Sequence, residues 1–373
     1  MRLIDADVHV RWETDDELKP YLPETWWERW SHAFGHSEPG VRIKPKYYDP
    51  GTWPVYRHGV CTVNTEAVAN AAELAAGWLE PQGIEAAVVS VYDAPLIATF
   101  GDVVYPLAVA EAINRWLVDA YLEKDTRLWG SITVATQDAE VAAREVRRAA
   151  EHPRMVQVVL PAGTRLPYGH RYYRPIFRAA AECGLAVAFA SGTEGMGTSN
   201  TPTPVGWPGT TAEMRVTPAT NFLCHITSLI TEGVFTEFPE LRIAGYELGA
   251  GWLPPYLWRF DKNFKALRSE CPWVTELPSE VVAKHFRFSS AGVIPEGAPA
   301  EEFWRLMGSL PGPGLLMYGS NHPRWDVETP EESAVLRTCA TEAQRERVAF
   351  GAALEVFPRM NRTWAAQGLV GRG

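Results

Sequence analysis

The sequence lacks the features of a secreted or membrane-spanning protein. Its five cysteines are scattered and include no Cys-x-x-Cys pair, a pattern that fits reduced thiols rather than a disulfide or zinc framework. No apolar run reaches the roughly 20 residues of a transmembrane helix. The first ten residues, "MRLIDADVHV", contain no hydrophobic signal segment. We therefore expect a cytoplasmic protein with no membrane partner.

Positive charge is also in short supply. Lysine and arginine number 35 against 45 aspartates and glutamates, a formal net charge of −10. An acidic surface argues against nucleic acid or anionic lipid as a partner, so a small-molecule substrate is expected. Hydrophobic residues make up 46% and charged residues 21% of the chain, which is ordinary globular composition.

Short apolar runs alternate with segments of helical length. Most of these runs are continuous rather than alternating, which is typical of parallel strands covered on both faces. They predict eight strands and a single (β/α)₈ TIM barrel spanning 1–373. A doubly wound sheet is the alternative, but no Gly-x-Gly-x-x-Gly loop follows the first strand. The predicted strands are 2–10, 84–92, 128–135, 155–162, 185–191, 241–248, 285–290 and 314–320.

Three connections are too long to be simple turns. They span 11–62, 192–217 and 321–330, and each begins where a predicted strand ends. Active sites of TIM barrels lie at the carboxyl ends of the strands. The segments 11–62 and 192–217 are therefore expected as long loops over the barrel mouth, and 192–217 is either a lid or disordered.

The first strand ends in Asp-x-His. Residues i and i+2 of a strand point to the same face, so Asp7 and His9 are expected to enter the barrel mouth together. They could serve as an acid–base pair or as ligands of a divalent metal, although a buried aspartate holding a structural histidine would give the same pattern. Asp5 is expected on the same face, one step deeper, in a structural role.

Further polar residues follow other strands. Glu247 stands at the end of strand 6 before a glycine-rich turn, where a buried carboxylate is costly unless it is paired or functional. His225 lies on an apolar helical pattern and is either a satisfied core histidine or a catalytic residue. Ser191 ends strand 5. A hydroxyl is a poor zinc ligand, so Ser191 is a candidate for substrate binding rather than for metal ligation. Strand 8 is followed by the stretch "GSNHPRWD".

In that stretch, Asn321, His322 and Arg324 are the candidate site residues. Asn321 can both donate and accept hydrogen bonds and is a candidate catalytic residue. His322 and Arg324 are candidates for substrate binding. Arg324 could bind a substrate carboxylate in bidentate fashion, or could pair instead with Asp326 or Glu328.

Several segments, which follow one another along nearly the whole chain, resemble the amidohydrolase superfamily. Within it, they resemble the group that includes aminocarboxymuconate-semialdehyde decarboxylase and the resorcylate-type decarboxylases. The most specific segment is "GVFTEFPELRIAGYELGAGWLP". The others are "LIDADVHV", "YLPETWWERW", "YYRPIFRAAAECGLAVAFASG" and "MYGSNHPRWD". The resemblance implies a TIM-barrel enzyme, commonly a homodimer.

The resemblance also implies a metal site that this sequence only half retains. In family members the metal is usually bound by a strand 1 motif, in which an acidic residue or a histidine is followed two positions later by a His. A His that ends strand 5 and an Asp that ends strand 8 complete the site. Asp7 and His9 match the first element. Ala190 and Asn321 stand where the other two ligands are expected, and Arg324 replaces the final His of the strand 8 motif. Glu247 aligns with the strand 6 position, which is a catalytic His in the decarboxylases and often a Glu in this subgroup.

Three functional readings follow from these residues. The first is a metal-independent lyase that uses Asp7, His9, His225, Glu247 and Asn321 in acid–base decarboxylation, other C–C or C–N cleavage, or rearrangement. Its substrate would be a small aromatic or unsaturated carboxylic acid. The second is a zinc or manganese hydrolase or decarboxylase with substitute ligands, Asp7 and His9 among them. The third is a non-catalytic ligand-binding relative. We expect no cofactor under the first reading.

Overall fold

The computed structural model describes residues 1–34, 68, 70–92, 94–208, 216, 218–294, 297–312, 314–324 and 326–369. The larger part of the predicted long loop 11–62, from residue 35 onward, lies outside the described residues, as do 209–215 and 217 of the segment 192–217. Asp15–Tyr21 and Glu24–Phe34 of the first segment are helical rather than loop. Within the described ranges, none of the helices has the length and apolar character needed to span a bilayer.

Eight parallel strands form one sheet in the order β1 to β8. The barrel is closed by backbone hydrogen bonds from β1 to the residues that follow β8, among them Ala6 N–H to the carbonyl of Tyr318 at 3.0 Å. The predicted (β/α)₈ barrel is therefore confirmed. The strands are β1 (Ile4–Val10), β2 (Ala86–Val91), β3 (Leu128–Thr133), β4 (Met155–Pro161), β5 (Ala186–Ala190), β6 (Ile243–Tyr246), β7 (Phe286–Ser289) and β8 (Leu316–Met317).

Helices surround the sheet. The helix Arg174–Cys183 ends at Gly184, which takes up the left-handed conformation at φ 66° that terminates a helix. The helices are α1 (Glu24–Phe34), α2 (Ala71–Leu74, continued by Ala75–Leu79 and Glu80–Gln82), α3 (Val104–Leu117), α4 (Ala139–Ala149), α5 (Arg174–Cys183), α6 (Pro218–Thr231), α7 (Val234–Glu237), α8 (Leu253–Leu267), α9 (Pro278–His285), α10 (Ala300–Met307), α11 (Ala334–Arg337), α12 (Glu342–Glu346), α13 (Ala352–Val356) and α14 (Pro358–Ala366).

The strands read as continuous apolar runs because both of their faces are buried. One cluster of side chains fills the barrel interior and includes Ile4 and Ala6 of β1, together with Phe357 and Met360 from the C-terminal helical segment. A larger cluster packs between the strands and the surrounding helices. The C-terminal segment therefore contributes to the interior beneath the mouth.

A bulge in β1 separates Asp5 from Asp7. Asp5 pairs with Ala87 and Val8 pairs with Val89, so β1 holds one extra residue between them. The carboxylate of Asp5 consequently turns toward α2 and accepts a hydrogen bond from the indole of Trp78 at 2.9 Å. The expectation that Asp5 shares the face of Asp7 was wrong, because a strict two-residue period does not survive a bulge.

Candidate active site

The loop after β8 lies directly against β1. The amide of Asn321 donates to the carbonyl of Asp7 at 2.9 Å, and the amide of His9 donates to the carbonyl of His322 at 2.7 Å. Gly319 approaches so closely that an added Cβ would lie 2.8 Å from the Cβ of Asp7. Backbone contacts therefore bring the polar residues of both segments together at the carboxyl end of the barrel.

His9 and Asn321 form the centre of this cluster. Nε2 of His9 lies 3.0 Å from Oδ1 of Asn321, and Nδ2 of Asn321 donates to Oδ1 of Asp326 at 2.8 Å. Because the Asn321 amide must point its nitrogen at Asp326, its oxygen accepts the proton carried by Nε2 of His9. Nδ1 of His9 is left with a lone pair and has no hydrogen-bond partner among the described residues.

Asp7 is buried beside His9, with 3% of its surface exposed. Oδ1 of Asp7 lies 3.4 Å from Nε2 of His9, and Oδ2 accepts a hydrogen bond of 3.3 Å from the hydroxyl of Ser289. Burial raises the pKa of Asp7 well above its usual range, and the negative charges of Glu247 and Asp5 raise it further. Asp7 is thus a carboxyl group suited to holding a proton.

The imidazole of His9 has the opposite tendency. Burial lowers the pKa of His9 to about 3, and the nearby positive charge of Arg324 also lowers it. His9 is therefore neutral at physiological pH. The edge of its ring packs against Tyr92, with the ring centres 5.5 Å apart.

Glu247 and Arg324 form a buried ion pair beside this cluster. Nη1 of Arg324 lies 2.8 Å and 2.7 Å from the two carboxylate oxygens of Glu247. Arg324 also lies 3.8 Å from Asp326 and 5.3 Å above the ring of Tyr92. Nε2 of His9 is 3.9 Å from Glu247. Arg324 therefore pairs with Asp326, a partner that the sequence left open, and more closely with Glu247, which had not been considered for it.

Two of the cluster's residues adopt a backbone conformation that is rare for side chains other than glycine. Glu247 has φ 58° and Asn321 has φ 63°, and they are the two non-glycine residues with positive φ in the described part of the chain. Such conformations cost roughly 1–3 kcal/mol and tend to occur at functional sites. Both lie at strand ends where their side chains meet His9.

The side chains of three other candidates have surroundings of their own. His225 uses both ring nitrogens on the backbone: Nε2 is 2.8 Å from the carbonyl of Ala162, and Nδ1 accepts from the amide of Tyr168 at 3.3 Å. Within the described residues it forms no hydrogen bond or ion pair with Asp7, His9, Glu247 or Asn321, so the geometry favours the core reading of this residue. The ring of His322 stacks on Trp78 at 4.2 Å. Ser191 is half-buried beyond the end of β5.

Sequence analysis missed several groups near the site. Tyr92 comes directly after β2 and Ser289 ends β7, so the rule applied to the other strand ends would have found both. Glu194, four residues beyond β5, is a buried carboxyl with 3% exposure. In the barrel interior, Gln157 links the hydroxyls of Ser131 and Tyr246 by hydrogen bonds of 2.8 and 2.9 Å.

The residues present do not fit the metal ion that the resemblance implies. No group of three or more His, Cys, Asp or Glu side chains converges on one point in the part of the chain that the structure describes. Nε2 of His9 faces an amide oxygen, and Glu247 is bound to the cation of Arg324. Catalytic zinc sites use three protein ligands, whereas these side chains are already bound to other protein groups.

Residues 62–359 match the family model described as Amidohydrolase. The chain belongs to the amidohydrolase family. The predicted resemblance is thereby confirmed at the level of the family, and it supports an enzyme of the lyase or hydrolase type. Among curated proteins, none matches the sequence.

Solved structures of the same fold include several decarboxylases. The 2,6-dihydroxybenzoate decarboxylase from Rhizobium is 15% identical, with a TM-score of 0.65 over 96% of this chain and 99% of that one. The 5-carboxyvanillate decarboxylase from Novosphingobium aromaticivorans, in complex with manganese and 4-hydroxy-3-methoxy-5-nitrobenzoic acid, is 19% identical, with a TM-score of 0.66 over 96% of each chain. An amidohydrolase from Mycobacterium avium subsp. paratuberculosis is 17% identical, with a TM-score of 0.67 over 95% of this chain and 98% of that one. At these identities the likeness establishes the barrel fold alone.

Proposed function

We propose that this amidohydrolase is a metal-independent lyase that decarboxylates a small aromatic or unsaturated carboxylic acid. The observation that carries the proposal is the environment of Asp7. Asp7 is 3% exposed, and its burial together with the negative charges of Glu247 and Asp5 raises its pKa well above the usual range, which favours the protonated acid. A proton donor in the barrel mouth can act on carbon without an activated water molecule.

In the proposed reaction, Asp7 transfers its proton to the substrate carbon that bears the carboxylate. A new C–H bond forms, the bond to the carboxylate breaks, and its electron pair returns to the substrate as CO₂ leaves. Asp7 then regains a proton from water. The net change is one carboxylate and one proton converted to C–H and CO₂.

The other residues position the substrate and tune the site. The guanidinium of Arg324 supplies the positive charge that attracts a carboxylate, and Glu247 holds it in place. Nδ1 of His9 offers a lone pair to a substrate hydroxyl, because Asn321 fixes the proton on Nε2. Tyr92 provides an aromatic surface beside His9. The decarboxylases of the same fold, which act on hydroxylated benzoates by name, support this substrate class.

The first experiment tests the site residues. The purified protein is given 2,6-dihydroxybenzoate or 5-carboxyvanillate, and CO₂ release is followed. Asp7→Asn, His9→Ala and Glu247→Gln should each lower turnover about 10²-fold or more, the usual scale for removal of an acid or base. The exposed Asp16→Asn is the matched control. Variants that lose thermal stability but keep their activity per folded molecule would show that these residues are structural.

The second experiment tests metal independence. We expect turnover to persist in a chelator and elemental analysis to find no stoichiometric manganese or zinc. The manganese bound by a decarboxylase of this fold favours the alternative of a metal enzyme with substitute ligands. Activity that disappears on chelation and returns with manganese would establish that alternative. As a converse, Ala190→His combined with Asn321→Asp should create measurable metal affinity. A homodimer and a cytoplasmic location remain predictions.

A further inference from the structure

Glu194 is a buried carboxyl group that the chemistry above does not use. It lies in the loop after β5, and Oε2 accepts a hydrogen bond of 2.7 Å from the amide of Gly192. The carboxyl group is thereby folded back toward Gly192, which lies two residues beyond Ala190, the last residue of β5. Oε1 has no hydrogen-bond partner among the described residues.

The backbone around Glu194 is firmly held. Oγ1 of Thr193 accepts from the amide of Gly163 at 3.0 Å and lies 3.3 Å from the carbonyl of the same residue. The hydroxyl of Ser199 donates to the carbonyl of Thr193 at 2.8 Å. A Cβ added to Gly163 would lie 2.6 Å from the backbone nitrogen of Glu194. Glu194 is therefore fixed against the end of β4 rather than carried on a free loop.

The negative charge of Glu247 acts on Glu194. Ala190 pairs with Tyr246 in the sheet, so Glu194 and Glu247 follow neighbouring strands at the same end of the barrel. Burial raises the pKa of Glu194, backbone amides of its own loop partly offset this, and the negative charge of Glu247 adds to the rise. Tyr168, in the segment after β4, also interacts electrostatically with Glu194.

We propose that Glu194 is a second acid of the site, which keeps its proton and presents it through Oε1 to the carboxylate of the bound substrate. No cation forms an ion pair with Glu194 in the described ranges, and burying an ionised carboxylate without one is costly. A neutral carboxylic acid, by contrast, is a hydrogen-bond donor that a substrate carboxylate can accept. The substrate class in this inference rests on the proposed function, whereas the protonation of Glu194 does not.

Protonation can be tested without any ligand. Glutamate labelled with ¹³C at the carboxyl carbon is incorporated, and the signal of Glu194 is assigned by its loss in Glu194→Gln. We expect this signal to titrate above the ordinary glutamate value of about 4.3. In Glu247→Gln its midpoint should fall, because the negative charge of Glu247 is gone. An ordinary midpoint, or one that does not respond to Glu247→Gln, would overturn the proposal.

The role toward a carboxylate is tested with 2,6-dihydroxybenzoate as the probe, its binding followed by tryptophan fluorescence from pH 5 to 9. Above the midpoint of Glu194, the affinity of the wild type should fall by about tenfold per pH unit, the effect of one linked proton. Glu194→Gln should lack this fall because its amide donates at every pH. The exposed Glu240→Gln should behave as the wild type does.

This role would be overturned by any of three results. The wild-type affinity could be independent of pH, the affinity of Glu194→Gln could fall with pH as the wild type's does, or the probe could show no saturable binding. Absence of CO₂ release with an intact pH dependence of binding would instead contradict the decarboxylation and leave the role of Glu194 standing. The two proposals therefore fail on different measurements.

Discussion

At the scale of single residues, one amide determines the chemistry of the site. Asn321 donates to Asp326 and accepts from His9, at 2.8 and 3.0 Å. Burial keeps the imidazole of His9 neutral, and the Asn321 amide fixes its proton on Nε2, which leaves the lone pair on Nδ1. The backbone of Asn321 is left-handed, at φ 63°, a conformation that asparagine tolerates better than most residues. An asparagine at this position therefore suits both the left-handed backbone and the Nε2–H tautomer of His9.

The substitution Asn321→Asp tests this account. A carboxylate in place of the amide would face Nε2 of His9 and favour the protonated imidazole. We expect the pKa of His9, about 3 in the present environment, to rise by at least about one unit. Nitrogen-detected NMR titration of the histidine rings measures it. Asn263→Asp, on the exposed face of α8, is the control, and a His9 pKa that stays near its present value would contradict the role given to Asn321.

At the scale of secondary-structure elements, the strands could be predicted from sequence and their local irregularities could not. Continuous apolar runs located all eight strands, because both faces of a barrel strand are buried. The bulge in β1 turned Asp5 away from Asp7, and nothing in the alternation of residues indicated it. The pairing of Arg324 with Glu247 depends on how distant strand ends meet across the barrel mouth, which local sequence does not encode.

The segment after β5 shows the same limit. Its Gly, Thr and Pro content indicated either a lid or disorder. Residues 193–200 form hydrogen-bonded turns that reach the loops after β2 and β4, for example through the amide of Thr198, which donates to the carbonyl of Thr99 at 2.8 Å. Composition does not distinguish such a loop from a flexible one, because its order comes from contacts with other elements.

Gly163→Ala tests how far the site depends on that loop. The new Cβ would meet backbone atoms of Thr193 and Glu194 at 2.6–2.7 Å, and backbone cannot move aside as a flexible side chain can. We expect the loop to shift and turnover to fall by about tenfold or more, since small misplacements near a reacting centre are costly. Gly77→Ala, whose added Cβ has no neighbour within 4 Å, should leave turnover unchanged. Equal activity of the two variants would show that the position of the loop is not critical.

At the scale of the whole molecule, two sets of buried titratable groups act on stability in opposite directions. Burial lowers the pKa of His225, His285 and His322 to about 4. Burial raises the pKa of Asp5 and Asp7. The sign of each effect follows from which state binds more protons.

A carboxyl group with a raised pKa in the folded state binds more protons there, so its contribution to stability is lost as pH rises through that pKa. A histidine with a lowered pKa binds more protons in the unfolded state. Its contribution is complete above the unfolded value of about 6.5 and is lost as pH falls toward about 4. The histidines therefore make the protein labile to acid, and the carboxyls oppose this trend over part of the same range.

His285 isolates the histidine contribution, because it lies away from the active site. Its Nδ1 donates to the carbonyl of Leu241 at 2.8 Å and its ring packs on Phe235. His285→Asn keeps a donor for that carbonyl but cannot take up a proton. We expect the loss of unfolding free energy between pH 6.5 and 4.5 to shrink by about 1–3 kcal/mol relative to the wild type. Urea denaturation across this range measures it, with the exposed His170→Asn as control. A slope equal to that of the wild type would mean that His285 is protonated in the folded state without penalty, and that burial is not what makes these histidines neutral.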